Sequence, residues 1–120
     1  MKYYRIYCLE NGETRNEFLP YDLKTNDFIK GTPSFPMADM GAAKTLKVAS
    51  VPSGWDGGWH PTPLKQWCVT LSGSAIMETS DKKVIELKGG VAVLLDDTFG
   101  KGHHTTVVGD DDWCSMLVAV

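Results

Sequence analysis

Two histidines on separate segments of the chain are the side chains best suited to chemistry. His60 follows a stretch rich in glycine and tryptophan, and His103 follows Gly100-Lys101-Gly102 much later in the chain. Imidazole changes its protonation near neutral pH, so it can exchange a proton during catalysis or bind a metal ion. We therefore take His60 and His103 as candidate catalytic residues.

Polar and aromatic residues near the two histidines can hold a small ligand. The candidate binding residues are Gln66, Thr62, Lys101, Trp59 and Phe99. Gln66 carries both an amide donor and a carbonyl acceptor for a ligand, although a role in hydrogen bonding between strands would explain this residue equally well. Lys101 can pair with an anionic group or stay a solvated loop lysine. Asp97, in the turn before His103, is interpreted as a structural residue that holds the loop presenting this histidine.

Short apolar runs separated by glycine and proline predict an all-β protein. Strands are predicted over Tyr3–Leu9, Leu46–Val51, Gln66–Leu71, Ala75–Thr79, Lys83–Leu87, Ala92–Leu95, Thr105–Val108 and Trp113–Val120. The regular spacing of the turns is typical of a barrel or sandwich. A helical turn has room only between residues 28 and 43, where prolines exclude a long helix.

Turn residues predict how consecutive strands pair. Ser72-Gly73-Ser74 predicts a hairpin between Gln66–Leu71 and Ala75–Thr79, and a second hairpin returns through Val84–Leu87. The acidic run Asp110-Asp111-Asp112 is interpreted as a charged hairpin tip.

Strand alternation predicts which side chains share a face. Along Gln66–Leu71, one face carries Gln66, Cys68 and Thr70, and the other carries Trp67, Val69 and Leu71. Extending this parity places His60 and Thr62 beside Gln66, and it turns His104 away if His103 faces inward. Since both faces carry apolar side chains, the outer face needs a cover, either the N-terminal segment or a second subunit.

Composition excludes several classes of protein. The chain has 120 residues, a formal net charge of −3 and no clustered lysine or arginine, so a nucleic-acid partner is not expected. No apolar run is long enough for a signal peptide or a membrane span, which predicts a cytoplasmic protein without a membrane partner. The three cysteines are widely spaced and odd in number, so a disulfide framework is not expected. Cys68 and Cys114 are interpreted as small buried apolar residues.

The two histidine segments resemble the two motifs of the cupin superfamily. Gln66 stands seven residues before Gly73, at the position of the glutamate in the first motif, and His60 and Thr62 fall on its two histidine positions. The segment from Thr98 to His103 matches the glycine and histidine of the second motif but not its proline. The chain is thus similar to small single-domain cupins of the RmlC-like jelly-roll type.

The resemblance implies an all-β fold, a double-stranded β-helix or jelly-roll cupin barrel with little or no helix. The chain is then a single cupin domain over residues 1–120, in which residues 1–45 form an N-terminal arm and edge strands. Residues 46–120 form the barrel with both motifs. Because cupins commonly dimerise, the resemblance also implies a homodimer, whose second subunit would cover the outer apolar face.

Departures from the cupin motifs bear on metal binding. Cupins that bind metal offer three histidines and a glutamate, whereas the matching positions here leave His60, Gln66 and His103 as the metal-ligand set, with Thr62 in place of a histidine. The carboxylate that offsets a dication is replaced by a neutral amide. No cofactor is therefore certain, and a divalent transition metal (Fe, Mn, Ni or Zn) stays an alternative.

The leading functional hypothesis is a cupin that binds a small polar or anionic organic molecule. As an enzyme it would be an isomerase, epimerase or lyase that transfers protons through His60 and His103. Two alternatives stay open: a metal-dependent cupin, dioxygenase-like or lyase-like, with the atypical His/Gln/His site, and a non-enzymatic ligand sensor or dimeric interaction module. The sequence does not decide whether the protein is an enzyme, because the cupin fold serves many functions.

Overall fold

Twelve β-strands and no helix make up the computed structural model, which describes residues 1–120. The strands are β1 (Lys2–Cys8), β2 (Thr14–Pro20), β3 (Lys24–Asn26), β4 (Phe35–Met37), β5 (Thr45–Val51), β6 (Asp56–His60), β7 (Gln66–Ser72), β8 (Ser74–Glu78), β9 (Val84–Leu87), β10 (Ala92–Asp96), β11 (His103–Val108) and β12 (Trp113–Ala119). All eight strands predicted from the sequence are present.

Two sheets face each other and enclose the core. The larger has six strands in the order β2-β1-β10-β7-β12-β5, and the smaller has four in the order β6-β11-β8-β9. The last eight strands alternate between the sheets, except at the β8–β9 hairpin, as they do in a jelly roll of the cupin type. The predicted all-β double-stranded β-helix is therefore confirmed, and the fold is cupin-like.

The first part of the chain adds strands outside this eight-stranded unit. β1 pairs in parallel with β10, and β2 pairs with β1 in antiparallel, so both extend the larger sheet at its edge. β3 and β4 pair only with each other. No helical turn forms between residues 28 and 43, where the prediction left room for one, because β4 takes part of this proline-containing stretch.

The predicted hairpin at Gly73 is wrong. β7 pairs with β10 and β12, whereas β8 pairs with β9 and β11, so the chain passes from one sheet to the other at Gly73. Residues 110–112 likewise connect strands of different sheets and are not a hairpin tip. A glycine in a turn marks a change of direction but does not say whether the next strand pairs with the last. The second predicted hairpin, β8–β9, is confirmed.

Four strands were missed: β3 and β4, which pair only with each other, and β2 and β6 of the two facing sheets. β2 is largely polar, and it is a strand because it pairs with β1 along its full length. β6 contains two adjacent glycines, which are unfavourable in strands, yet it pairs with β11 at the edge of the smaller sheet. Both cases show sheet pairing overriding local propensity.

Alternation along the strands separates an inner from an outer face, as predicted. Cys68 and Thr70 of β7 are buried between the sheets, and the Trp113 indole N–H donates to the Thr70 hydroxyl over 3.1 Å. Ile6 and Val93, from the neighbouring strands β1 and β10, are fully buried in the same core. The extra strand β1 is thus packed into the sandwich and not only attached at its rim.

The outer face of the larger sheet is only partly covered. Trp67, Val69 and Val118 line a wholly apolar groove together with Tyr21 and Met40 from the N-terminal part of the chain. On the neighbouring edge strand β5, Leu46 and Val48 are 65% and 69% exposed. The N-terminal segment therefore supplies part of the expected cover, and the homodimer stays a prediction.

Two further observations concern the chain as a whole. It forms no helix that could cross a membrane. Cys8, Cys68 and Cys114 are free thiols.

We expect Gly73→Ala to destabilise the protein far more than Gly109→Ala. Both glycines have positive φ, of 74° and 81°, which costs an alanine about 1–2 kcal/mol. A Cβ at residue 73 would also lie 2.2 Å from the Asp112 carbonyl oxygen, whereas nothing lies within 4 Å at residue 109. Urea unfolding should show losses of about 1 kcal/mol for Gly109→Ala and about 3 kcal/mol or more for Gly73→Ala. Equal losses would contradict the tight corner between the sheets.

Candidate functional site

A cavity of about 180 Å³ lies between the two sheets. Its polar lining consists of His60, His103, Gln66, Thr105, Ser115 and Cys68. Its apolar lining consists of Ala49, Val51, Trp55, Met77, Leu95, Trp113 and Leu117. A few polar groups against apolar walls are typical of a ligand site, and this volume suits a molecule smaller than a drug.

The structure brings His60 and His103 together, as the sequence analysis predicted. They lie directly opposite each other on the antiparallel strands β6 and β11, and their ring centroids are 4.9 Å apart. Both rings line the cavity, His103 being almost fully buried and His60 partly exposed. The pair can therefore meet one ligand from the smaller sheet.

Gly102 permits this close pairing. Its φ is +72°, and a Cβ there would lie 2.1 Å from the carbonyl carbon and oxygen of His60. The loop before β11 can thus pack against the end of β6 only because residue 102 has no side chain. On its other side, the buried Thr14 hydroxyl donates to the Gly102 carbonyl over 2.7 Å. These contacts place His103 opposite His60.

A buried carboxylate orients His103. Asp97 Oδ2 lies 2.7 Å from His103 Nδ1, and both side chains are almost completely shielded from water. The hydrogen-bond network assigns the proton to Nδ1, which donates to Asp97, so Nε2 is the free acceptor. Asp97 was expected to hold the loop, and the structure shows that it also holds the imidazole itself. Its second oxygen, Oδ1, is buried without a partner.

His60 also leaves one ring nitrogen free. Its Nδ1 lies 3.2 Å from the Gly58 carbonyl oxygen, to which it donates as an N–H. The Nε2 atoms of His60 and His103 have no hydrogen-bond partner within the protein. Neither Nε2 atom is completely buried, so both atoms can contact a ligand in the cavity.

Gln66 and Thr62 have different positions in the site. The Gln66 amide donates to Thr62 Oγ1 over 3.2 Å, and that hydroxyl in turn donates to the Leu64 carbonyl over 2.7 Å. Gln66 lines the cavity and keeps its carbonyl oxygen free, whereas Thr62 is buried outside the lining. Thr62 therefore orients Gln66 in this structure.

The other three candidate binding residues lie outside the cavity. Lys101 pairs with Glu13, and this ion pair, with a hydrogen bond from Ser80, lowers the pKa of the Glu13 carboxyl. Trp59 lies beside Lys101 in a separate cleft on the opposite side of β6 from His60. Phe99 is exposed.

His104 faces away from the cavity, as alternation predicted. Its Nε2 lies 2.5 Å from Asp56 Oδ1, and its ring packs near Trp59 on the outer side of the smaller sheet. The Gly58 backbone N–H and the contact with His104 lower the pKa of Asp56.

Sequence reasoning missed several residues of the cavity wall. Ser115 and Leu117 share the inner parity of Trp113 on β12, so alternation of the buried tryptophan was a usable signal. Trp55, by contrast, belongs to the glycine- and tryptophan-rich stretch before His60 and was expected near the mouth of a pocket. Its ring packs over Gly57, where a Cβ would lie 2.3 Å from a ring carbon, and it forms part of the cavity wall.

Cys68 presents a thiol to the cavity that stays protonated near neutral pH. Burial raises its pKa to about 12, although a hydrogen bond with Ser115 partly opposes this shift. A thiol in that state is a poor nucleophile and a poor metal ligand. The interpretation of Cys68 as a small buried apolar residue agrees with its 1% exposure.

The donor groups at the cavity do not match the usual requirements of a transition metal. No three His, Cys, Asp or Glu side chains lie together so that they could hold an ion. The predicted set His60, Gln66 and His103 combines two imidazoles with a neutral amide, and the carboxylate of Asp97 is turned to His103 Nδ1. Metal sites of this kind normally include a carboxylate or thiolate.

Comparisons with known proteins concern the fold. No protein-family model and no curated protein matches the chain. The structure is similar to a protein from Neisseria meningitidis (TM-score 0.48, 11% identity, 62% of this chain and 72% of that chain). It is also similar to a conserved protein of unknown function from Streptococcus pyogenes (TM-score 0.47, 20% identity, 62% and 61%). A third similar structure is an RmlC-like cupin protein from Desulfovibrio desulfuricans (TM-score 0.45, 13% identity, 80% and 95%).

We expect iodoacetamide at neutral pH to modify Cys114 well before Cys68. Cys68 is buried and its pKa is raised to about 12, whereas Cys114 is partly exposed. Peptide mass spectrometry over a time course should show Cys68 of the native protein reacting far more slowly than Cys114, because very little of the Cys68 thiol is ionised. A urea-unfolded sample, in which the two thiols should react alike, is the control. Rapid modification of Cys68 in the folded protein would contradict its burial and its raised pKa.

Proposed function

We propose that this protein binds a small organic molecule in the cavity between the sheets and transfers a proton to or from it through His60 and His103. The observation that carries the proposal is the buried Asp97–His103 pair, which leaves His103 Nε2 free in the cavity opposite His60. Isomerisation, epimerisation and elimination all need such transfers at a carbon beside a carbonyl or hydroxyl group.

His103 is the proposed general base. Its Nε2 takes a proton from the ligand carbon, the electrons of the broken C–H bond form a carbon–carbon double bond, and the carbonyl π electrons move onto the oxygen, which becomes an enolate oxygen. The Asp97 carboxylate stabilises the resulting imidazolium through the hydrogen bond to Nδ1. Since Asp97 and His103 are shielded from water, this stabilisation is stronger than it would be at the surface.

His60 and Gln66 complete the proposed reaction. Gln66 uses one amide hydrogen on Thr62, so the other is free to bind the developing enolate oxygen. His60, in its protonated form, donates a proton from Nε2 to a neighbouring atom of the ligand, because the two rings lie side by side on the smaller sheet, 4.9 Å apart. The proton from His60 reaches an atom other than the carbon that lost its proton to His103, which gives the isomerised product and leaves His60 neutral and His103 protonated.

We expect His60→Ala and His103→Ala to lose proton transfer, with His104→Ala as the matched control. A library of small hydroxy and carbonyl compounds is first screened for binding by ligand-detected NMR. Binders are then incubated in D2O, and exchange at the carbon beside the oxygen is followed by NMR. The variants should slow exchange about 10²–10⁴-fold. Asp97→Asn should slow exchange while binding stays close to that of the wild type, since it alters the orientation and charge of His103.

Two results would count against the catalytic proposal. Exchange at the wild-type rate in both histidine variants would remove these residues from catalysis. Binding of ligands without exchange in the wild type would favour the sensor alternative, in which the same cavity binds without catalysis. Circular dichroism on every variant separates these outcomes from loss of the fold.

A metal-dependent function is the second candidate, and the two unpartnered Nε2 atoms on neighbouring strands favour it. From the donor set we expect less than about 0.1 equivalent of Fe, Mn, Ni or Zn in untagged protein, measured by mass spectrometry after incubation with each salt and desalting. Near-stoichiometric metal that is lost in both His60→Ala and His103→Ala would contradict this expectation and favour the metal-dependent alternative. His104→Ala again serves as the control.

A further inference from the structure

Lys47 stands on the inner face of the edge strand β5. It lies opposite Leu117 of β12, and residues opposite each other in a sheet point to the same side. Leu117 lines the cavity, as do Ala49 and Val51, which follow Lys47 at alternate positions of β5. Lys47 is therefore the next residue of the row that forms this wall of the cavity.

This part of β5 borders the mouth of the cavity. β5 is the last strand of the larger sheet and β6 is the last strand of the smaller one, and a short turn through Trp55 joins them. The two edges therefore lie on the same side of the sandwich. Three half-exposed lining residues, Ala49, Val51 and His60, come from these edge strands, and the other two, Gln66 and Leu117, come from β7 and β12. Because the chain reverses between the strands, Lys47 near the start of β5 lies across the mouth from His60 at the end of β6.

Charge around the cavity is distributed unevenly. No lysine or arginine is among the cavity residues, and Asp97 lies behind His103 with one oxygen unpaired. An anionic group deep in the cavity would therefore be desolvated without a counter-ion and repelled by Asp97. Lys47, by contrast, is exposed and forms no ion pair with any carboxylate of the protein. Lys47 thus places one unpaired positive charge on the strand that borders the mouth, whereas the cavity lining has none.

We propose that the ligand is a short hydroxy- or oxo-carboxylate whose carboxylate pairs with Lys47 at the mouth and whose uncharged oxygen end reaches His60 and His103. This inference rests on the proposed function and adds the class of substrate and its direction of binding. Lys47 is the specificity-determining residue in this arrangement. Lys47 stands on the larger sheet, whereas His60 and His103 stand on the smaller one, and facing sheets pack about 10 Å apart. A flexible lysine and a short chain can span that distance together.

The alternative role of Lys47 is to protect the edge of the larger sheet, and this role can be tested against the proposed one. Inward-pointing lysines on edge strands prevent edge-to-edge pairing between molecules, and β5 is an edge strand. In that account Lys47 protects the monomer from association and has no preference for a ligand. The two accounts predict changes in different measurements.

The experiment compares acids with their methyl esters in the wild type, Lys47→Gln and Lys44→Gln. The probes are 3-hydroxybutanoate, 4-oxopentanoate and 5-oxohexanoate with their methyl esters, titrated by ligand-detected NMR at low and at 0.5 M NaCl. Lys44 is the matched control because it is also exposed and unpaired but precedes β5. Size-exclusion chromatography of each variant records its oligomeric state.

We expect the wild type and Lys44→Gln to bind at least one acid about tenfold more tightly than its ester, with the preference reduced by salt. Lys47→Gln should bind acid and ester alike, and Lys47→Arg should restore the preference. Equal binding of acid and ester by the wild type would overturn the inference, as would a preference that survives in Lys47→Gln. A change in oligomeric state alone would support edge protection and overturn it as well.

Failure of this inference can be distinguished from failure of the proposed function. If neutral compounds bind and His103→Ala abolishes their binding, the cavity is a ligand site and only the carboxylate class is wrong. If neither acids nor esters nor the wider library bind the wild type, both proposals fail. His103→Ala, tested on the acid that binds best, shows whether the probe occupies the cavity.

Discussion

The hydrogen bond between Asp97 and His103 is the interaction on which the arrangement of the site depends. A carboxylate removed from water is unfavourable unless it has partners, and His103 is the one hydrogen-bond partner of the buried Asp97 carboxylate. The Asp97 carbonyl accepts the backbone N–H of Thr62 over 3.0 Å, which ties the end of β10 to the segment after β6. The same few residues thus hold the imidazole and join both sheets.

The close contact between the backbone at Gly102 and the backbone of His60 is the second constraint on the site. It acts together with the hydrogen bond between Asp97 and His103. Gly102 lets the loop before β11 touch the end of β6, and Thr14 anchors that loop from the N-terminal strands. The strands added by the first part of the chain therefore support the site as well as the larger sheet. This explains how a small sandwich can keep two histidines in register at its open edge while one of them stays shielded from water.

Much of the fold followed from local patterns, but the pairing of its strands did not. Alternation identified the inner face of β7 through Cys68 and Thr70, because side chains of a strand must point alternately to each side. The corner at Gly73 was wrongly predicted as a hairpin, since a turn residue fixes local backbone conformation and not the identity of the next partner strand. Polar β2 and glycine-rich β6 were missed because their strand conformation depends on neighbours distant in sequence.

By itself the sequence determined the all-β class and most of the strands, and it singled out the two histidines that line the cavity. These follow from residue type, spacing and alternation, which act locally. Only the tertiary structure decided that Asp97 holds His103, that Lys101 and Trp59 lie outside the cavity, and that Lys47 lies opposite the cavity residue Leu117. Each of these facts depends on which strands are neighbours across the sheets, and that choice is made by burial and pairing over long separations in the chain.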